Sequence, residues 1–218
     1  MSTVSTPAQR LKMPTMNLSY WLGYNFFKLC ARGFFNYRVI GRERLDIPGA
    51  ALIVSNHVSF LDPPFVGIAF DEAIHYLAKK PLFSHPIAGA IFRSWSAIPV
   101  DQDRPDMASL KTVIRHLKAG EKVLLFPEGN RSPDGTLQKG EPGIGFIVTK
   151  VPVPVIPVHI FGTYEALPRD TMCLHPSEIT VVIGNPWHYD ASRYHETGKE
   201  LYQKISAELM AEISELTL

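Results

Sequence analysis

Apolar residues alternate along this chain between short continuous runs and longer stretches where they recur every three or four positions. The runs at 51–54, 73–78, 97–100, 123–126, 153–160 and 179–183 have the length and composition of buried strands. Between 106 and 120, Met107, Leu110, Ile114 and Leu117 keep helical spacing, and Gly120 supplies a stop. From 192 to 216, Leu201, Ile205, Leu209 and Ile213 share one face, which predicts an amphipathic closing helix. Alternation of this kind predicts the α/β class, with a largely parallel central sheet and helices packed around it. No internal repeat, linker or low-complexity tract breaks the pattern.

The N-terminal end differs. Residues 1–14 are polar and punctuated by proline, as a loose tail would be. Over 16–37 a narrow polar stripe, Asn25, Lys28, Arg32 and Asn36, runs along an otherwise greasy helix. The other faces carry Leu18, Trp21, Leu22, Phe26, Phe27, Leu29 and Phe34. One reading lays this helix in a membrane interface, aromatics in the acyl boundary and Lys28 and Arg32 near lipid phosphates. The other packs it against the core. The expected division is residues 1–40 as tail and membrane-associating amphipathic helix, and 41–218 as the α/β domain.

A chain of 218 residues, 45% hydrophobic and 20% charged, is one ordinary globular unit able to bury a core. Its net charge of +1 conceals an asymmetry. Residues 1–44 hold Arg10, Lys12, Lys28, Arg32, Arg38, Arg42 and Arg44 against Glu43 alone, while nine acids face four bases from Phe161 onward. A basic, aromatic end fits an anionic surface. Nucleic acid is the poorer partner, because the bases are interleaved with Trp21, Phe26, Phe27, Phe34 and Phe35. Cys30 and Cys173 make no disulfide framework, so a reducing compartment is expected. Neither a secretory h-region nor a charge-free run of about 18 apolar residues is evident, which predicts a peripheral rather than a spanning protein.

Candidate chemistry begins where the first central strand ends, at Asn56-His57-Val58-Ser59-Phe60-Leu61-Asp62. Open α/β sheets place ligands at the carboxyl ends of strands. Asp62 precedes Pro63 and Pro64, which predicts a helix N-cap. A turn from His57 into that helix would bring imidazole and carboxylate within hydrogen-bond reach, as base and orienting partner. The composition gives about 0.3 chance matches to His-x4-Asp, and about 0.01 with the preceding asparagine.

Three further strand exits follow the same grammar. Phe126-Pro127-Glu128-Gly129-Asn130-Arg131-Ser132 puts a glycine between a carboxylate and a guanidinium. Arg131 suits bidentate anion contact, and Glu128 could orient it or accept from a substrate hydroxyl. In Val155-Ile156-Pro157-Val158 the proline marks a bulge, an edge or a cavity wall. The fourth exit runs Ala97-Ile98-Pro99-Val100-Asp101-Gln102-Asp103-Arg104. No nucleophile elbow is present, and Ser59 reads as structural. Gly143-Ile144-Gly145 is too weak for a nucleotide fingerprint, and neither His-Glu-x-x-His nor a paired-cysteine pattern occurs. The remaining histidines, 75, 85, 116, 159, 175, 188 and 195, are scattered, so no metal is expected.

Together these segments resemble the glycerolipid acyltransferases, the 1-acyl-glycerol-3-phosphate acyltransferase family, over roughly residues 35–185. The 56–62 segment matches its His-x4-Asp motif, 126–132 its phosphate-site motif, and 155–158 its final motif. The second motif departs: Ser96 and Gln102 stand where glycine and arginine are usual, and Arg104, Arg93, Lys79 or Lys80 would have to replace the missing charge. The resemblance implies direct acyl transfer by a catalytic His57 and Asp62, with Glu128, Gly129, Arg131, Arg104, Lys79 and Pro157 binding substrate. It further implies acyl-CoA or acyl-carrier protein as donor, a lysophospholipid acceptor, no cofactor, and peripheral attachment on the cytoplasmic side of a membrane. Alternatives are another acceptor, such as glycerol 3-phosphate or a lyso-aminolipid, and a silent lipid-binding protein.

Overall fold

The computed structural model describes residues 16–101, 107–171 and 173–218. Seven strands form one sheet: β1 (Arg38–Ile40), β2 (Ala51–Ser55), β3 (His75–Lys79), β4 (Ala97–Val100), β5 (Lys122–Leu125), β6 (Val155–Phe161) and β7 (Thr180–Ile183). Their spatial order is β1-β7-β6-β2-β5-β3-β4, and every pairing is parallel except β6 with β7. Five strands therefore share a direction, and the β7–β1 pair runs against them. The sheet matches the expected largely parallel α/β class.

Helices α1 (Leu18–Phe34) and α2 (Asp62–Gly67) cover one face. Helices α4 (Met107–Lys118), α5 (Gly143–Lys150) and α7 (Gly198–Glu215) cover the other. Alternate residues of β2 serve both faces: Ala51 and Ile53 join the first core, Leu52 and Val54 the second. Burial on both sides is why these strands read as continuous apolar runs. Helix α3 (Pro86–Ser94) lies between β3 and β4, and α6 (Thr163–Ala166) follows β6.

Two prolines sit in the sheet for different reasons. Pro99 is on β4, an edge strand, where a missing N–H costs no ladder bond. Pro157 lies in β6, paired with Val54 of β2, while its carbonyl accepts from Gly184 just beyond the end of β7. Its ring faces the side where the ladder has run out. Pro157 thus stands near the start of β6, away from the strand exits, and the expected cavity wall is not found there.

Helix α1 begins with Asn17 accepting the Tyr20 amide. Its inner face packs on the core and its outer face stays apolar and exposed. Tyr20, Gly23 and Ala31 are buried, and Tyr24 and Phe27 pack on the core. Leu18, Trp21, Leu22, Phe26 and Leu29 form an outward stripe, each at least 51% exposed. Lys28 does not sit free at a surface: its ammonium lies 3.9 Å from Asp71 and over the Tyr24 ring. No helix among the described residues is long and apolar enough to cross a membrane. The division at residue 40 follows no structural seam, because α1 is part of the core and β1 is hydrogen-bonded to β7.

Candidate active site

The site is assembled on the rim where β2, β3, β5 and β6 end. Beyond β2, the Asn56 side chain accepts from the Ile160 amide at 2.8 Å and donates to the Ile160 carbonyl at 3.0 Å. It thereby continues the β2–β6 ladder by one side chain and fixes the turn into His57. Asp62 then turns back. Its Oδ2 accepts from His57 Nδ1 at 2.8 Å and from the Val58 and Ser59 amides, both at 2.7 Å. An oxygen that accepts two amides leaves Nδ1 to act as donor, so Nε2 carries the free lone pair. Asp62 is fully buried, and its Oδ1 has no hydrogen-bond partner.

The expected N-cap role of Asp62 is not observed. Leu61 occupies the cap position of α2 without a side-chain bond, and Asp62 is the first helical residue. Its carboxylate serves the 57–59 turn instead. Ser59 is structural, as expected: its hydroxyl donates to the Leu167 carbonyl and accepts the Leu61 amide.

The loop after β5 clamps His57 from both sides. Glu128 Oε1 accepts the His57 amide at 2.8 Å, and the Ser132 amide donates to the His57 carbonyl at 2.7 Å. The imidazole stacks on Phe126, ring centroids 4.0 Å apart. Gly129 turns the loop with φ of 73°, a conformation open to glycine at low cost. Glu128 is engaged by backbone rather than by the Arg131 side chain: its other oxygen accepts the Gln138 amide at 3.3 Å. Burial pushes its carboxyl up to about 7, against the two amides that favour the charged form.

Arg131 is held by Arg169, a residue that no sequence motif marked. Arg131 Nη1 donates to the Arg169 carbonyl at 3.0 Å, and Arg169 Nη1 returns a bond to the Arg131 carbonyl at 2.9 Å. The Arg131 guanidinium lies 3.6 Å over the Phe60 ring. Burial first, and the Arg169 charge next, lower its hold on the proton.

His57, Arg131 and Arg169 share a cavity of about 460 Å³ that runs inward between α1 and α2. Tyr20, Tyr24, Phe27, Ile68, Phe92 and Trp95 make its walls largely apolar. Gly23 lets α1 approach this closely, since a Cβ there would sit 2.7 Å from the Trp95 ring. Lys79, at the end of β3, also lines it. Of the other candidates for the missing second-motif charge, Lys80 pairs with Asp101 at 3.5 Å, and Arg93 and Ser96 line a different cavity. Arg104 and Gln102 lie outside the described residues.

An imidazole held by a buried carboxylate, beside two arginines and an apolar cavity, can move a proton next to an anionic group that carries a greasy tail. The acyltransferase family model matches residues 36–161, and the chain belongs to that family. It is 30% identical to the 1-acyl-sn-glycerol-3-phosphate acyltransferase of Bacillus subtilis, over 82% of this chain and 87% of that one. With LPAT1, the chloroplastic 1-acyl-sn-glycerol-3-phosphate acyltransferase of Arabidopsis thaliana, it shares 31% identity over 71% of its length, but spans only 44% of that protein. The fold matches the crystal structure of PlsC, a 1-acyl-sn-glycerophosphate acyltransferase from Thermotoga maritima, with a TM-score of 0.72, 24% identity and coverage of 91% and 81%.

Proposed function

We propose that the protein transfers a fatty acyl group from a thioester donor, acyl-CoA or acyl-carrier protein, to the free hydroxyl of 1-acyl-glycerol 3-phosphate, giving phosphatidate. The observation that carries this reading is His57, its Nδ1 on Asp62, facing an apolar cavity beside Arg131 and Arg169. Nε2 takes the hydroxyl proton as that oxygen attacks the thioester carbonyl. Asp62 keeps the tautomer and balances the imidazolium that forms. The C–S bond then breaks, and the imidazolium returns its proton to the departing thiolate. No protein nucleophile and no cofactor enters the reaction.

The arginine pair and Lys79 suit a phosphate head group, and the apolar walls suit an acyl chain. The outward stripe of α1 supports peripheral attachment to a membrane, on the cytoplasmic face where these donors are available. The test offers purified protein a panel of lysolipids and glycerol 3-phosphate with both donors, and reads products by mass spectrometry. Lysophosphatidate is the expected acceptor, and His57→Ala should lower turnover by about 10²–10⁴-fold. A His57→Ala protein keeping more than about a tenth of wild-type turnover would exclude His57 as the base. Preference for glycerol 3-phosphate would move the acceptor assignment while keeping the chemistry.

A further inference from the structure

At the opposite end of the sheet from His57, two histidines distant in sequence meet a carboxylate. His75 opens β3, His116 lies in the last turn of α4, and Glu121 immediately precedes β5. Just past the end of α4, Gly120 takes a left-handed turn with φ of 89°. The Gly120 amide donates to the Leu117 carbonyl and the Glu121 amide to the His116 carbonyl. This is a Schellman cap, and it folds Glu121 back over the last helical turn. His116 Nδ1 and Glu121 Oε2 are 2.5 Å apart, and His75 Nε2 is 3.7 Å from the same oxygen. The two rings are tilted by 37°, centroids 4.5 Å apart. One donor atom from each residue lies within 4.8 Å of the other two.

The surrounding protein leaves His75 unsatisfied. A separation of 3.7 Å is too long for a hydrogen bond, and its Nδ1 is buried without a partner. The Lys122 carbonyl acts on the ring without reaching hydrogen-bond geometry at Nδ1. Lys122 itself is engaged by Glu72 and the Ile47 carbonyl, so its ammonium does not neutralise Glu121.

We infer that His75, His116 and Glu121 form a binding site for a divalent ion of the zinc class, separate from the acyl-transfer centre. Two imidazoles and one carboxylate are a donor set suited to zinc and its neighbours rather than to calcium or magnesium. Tetrahedral bonds of about 2.0–2.1 Å put ligand atoms roughly 3.3 Å apart. The separations of 2.5 and 3.7 Å lie on either side of that spacing, so small side-chain rotations suffice to converge them. His75 and His116 line a cavity of about 420 Å³, together with Arg93, Ser96 and Arg115, that could supply a fourth ligand. Those arginines oppose a bare cation, which makes the Glu121 charge necessary, and they favour water or an anion as the fourth ligand. The ion would tie the end of α4 to the start of β3, and loading should stabilise the fold by mass action.

The test strips the full-length protein with a chelator, titrates it with Zn²⁺ in a calorimeter and follows thermal melting. One equivalent per chain is expected, together with a rise in melting temperature that the chelator reverses. X-ray absorption of the loaded wild type should show two imidazole nitrogens at about 2.0 Å. His116→Phe keeps a ring in place without a donor, and Glu121→Gln removes the charge. Each should weaken binding by at least about tenfold, while melting near the wild type in chelator. Absence of stoichiometric uptake by the wild type, a spectrum without two imidazoles, or uptake that depends on His57 overturns the assignment. So does uptake undiminished in both variants. Stoichiometry and spectrum are read on the wild type, so they decide the matter even where a variant fails to fold.

Discussion

Replacing Glu128 distinguishes a residue that positions the base from one that touches substrate. Glu128 is 7% exposed, and its carboxylate takes the His57 and Gln138 amides at 2.8 and 3.3 Å. Glu128→Ala strips both bonds. A buried donor left unpaired costs about 1–3 kcal/mol, and the longer bond counts least, so the pair comes to about 2–4 kcal/mol. For a chain of this length the melting temperature should fall by about 4–16 °C. His57 also loses one of its two backbone anchors, and a misplacement of about 1 Å costs about 10²-fold in turnover. Glu128→Gln keeps a carbonyl oxygen for the His57 amide, so its turnover should stay within about tenfold of wild type. Steady-state kinetics in both substrates, beside calorimetry, makes the comparison. A Gln variant that melts like wild type yet is as inactive as the Ala variant would refute the positioning role.

The same carboxyl carries a pH signature. Burial raises it from 4.5 to about 7 in the folded protein. The folded state therefore holds this proton more tightly than the unfolded chain does. The stability it contributes is fully present below pH 4.5 and is lost as pH rises through about 7. Melting temperature plotted against pH should lose that component of its slope in Glu128→Gln. An identical slope in both proteins would place the proton elsewhere.

Arg131→Ala and Arg169→Ala should each raise the acceptor KM and leave the donor KM nearly unchanged, since both guanidiniums border the cavity beside His57. An effect confined to the donor would move the pair off the head group. Deleting residues 1–36 should lower the melting temperature and abolish activity on soluble and bilayer acceptors alike, because α1 walls the cavity with Tyr20, Tyr24 and Phe27. Trp21→Ser with Phe26→Ser, on the outward stripe, should weaken binding to anionic vesicles while sparing turnover on a short-chain acceptor. Full activity of the truncated protein on that acceptor would restore α1 to a purely docking role.

What the sequence revealed was local. Asn56, His57 and Asp62 fall within seven residues, so a single turn fixes their geometry and the pattern could be read directly. The continuous apolar runs located six strands, most sharply where both faces are buried, as in β2, and less so at β3, which is half-buried and carries His75 and Lys79. Strand β1 escaped: it is three residues long, begins with Arg38 and is held by one neighbour. Strand order and the antiparallel β6–β7 pairing depend on long-range contacts that no periodicity encodes. Gly143-Ile144-Gly145 carried no visible signal, yet it opens α5, where a Cβ on Gly145 would collide with the Tyr202 backbone of α7. Arg169 and the His75–His116 pair stayed hidden for the same reason, since tertiary packing alone brings them to their partners.

Helix α1 is a partition one helix thick, about 10 Å across, with apolar residues on both sides. An acyl chain crossing from a lipid layer into the cavity would leave one oily phase and enter another with little water between. Each methylene spared that exposure is worth about 0.8 kcal/mol, so the barrier to entry grows little with chain length. The partition also binds two properties together. If the outward stripe is what meets a membrane, a substitution that tilts or thickens the helix would also reshape the chamber behind it, so attachment and chain selection would be tuned by the same seventeen residues.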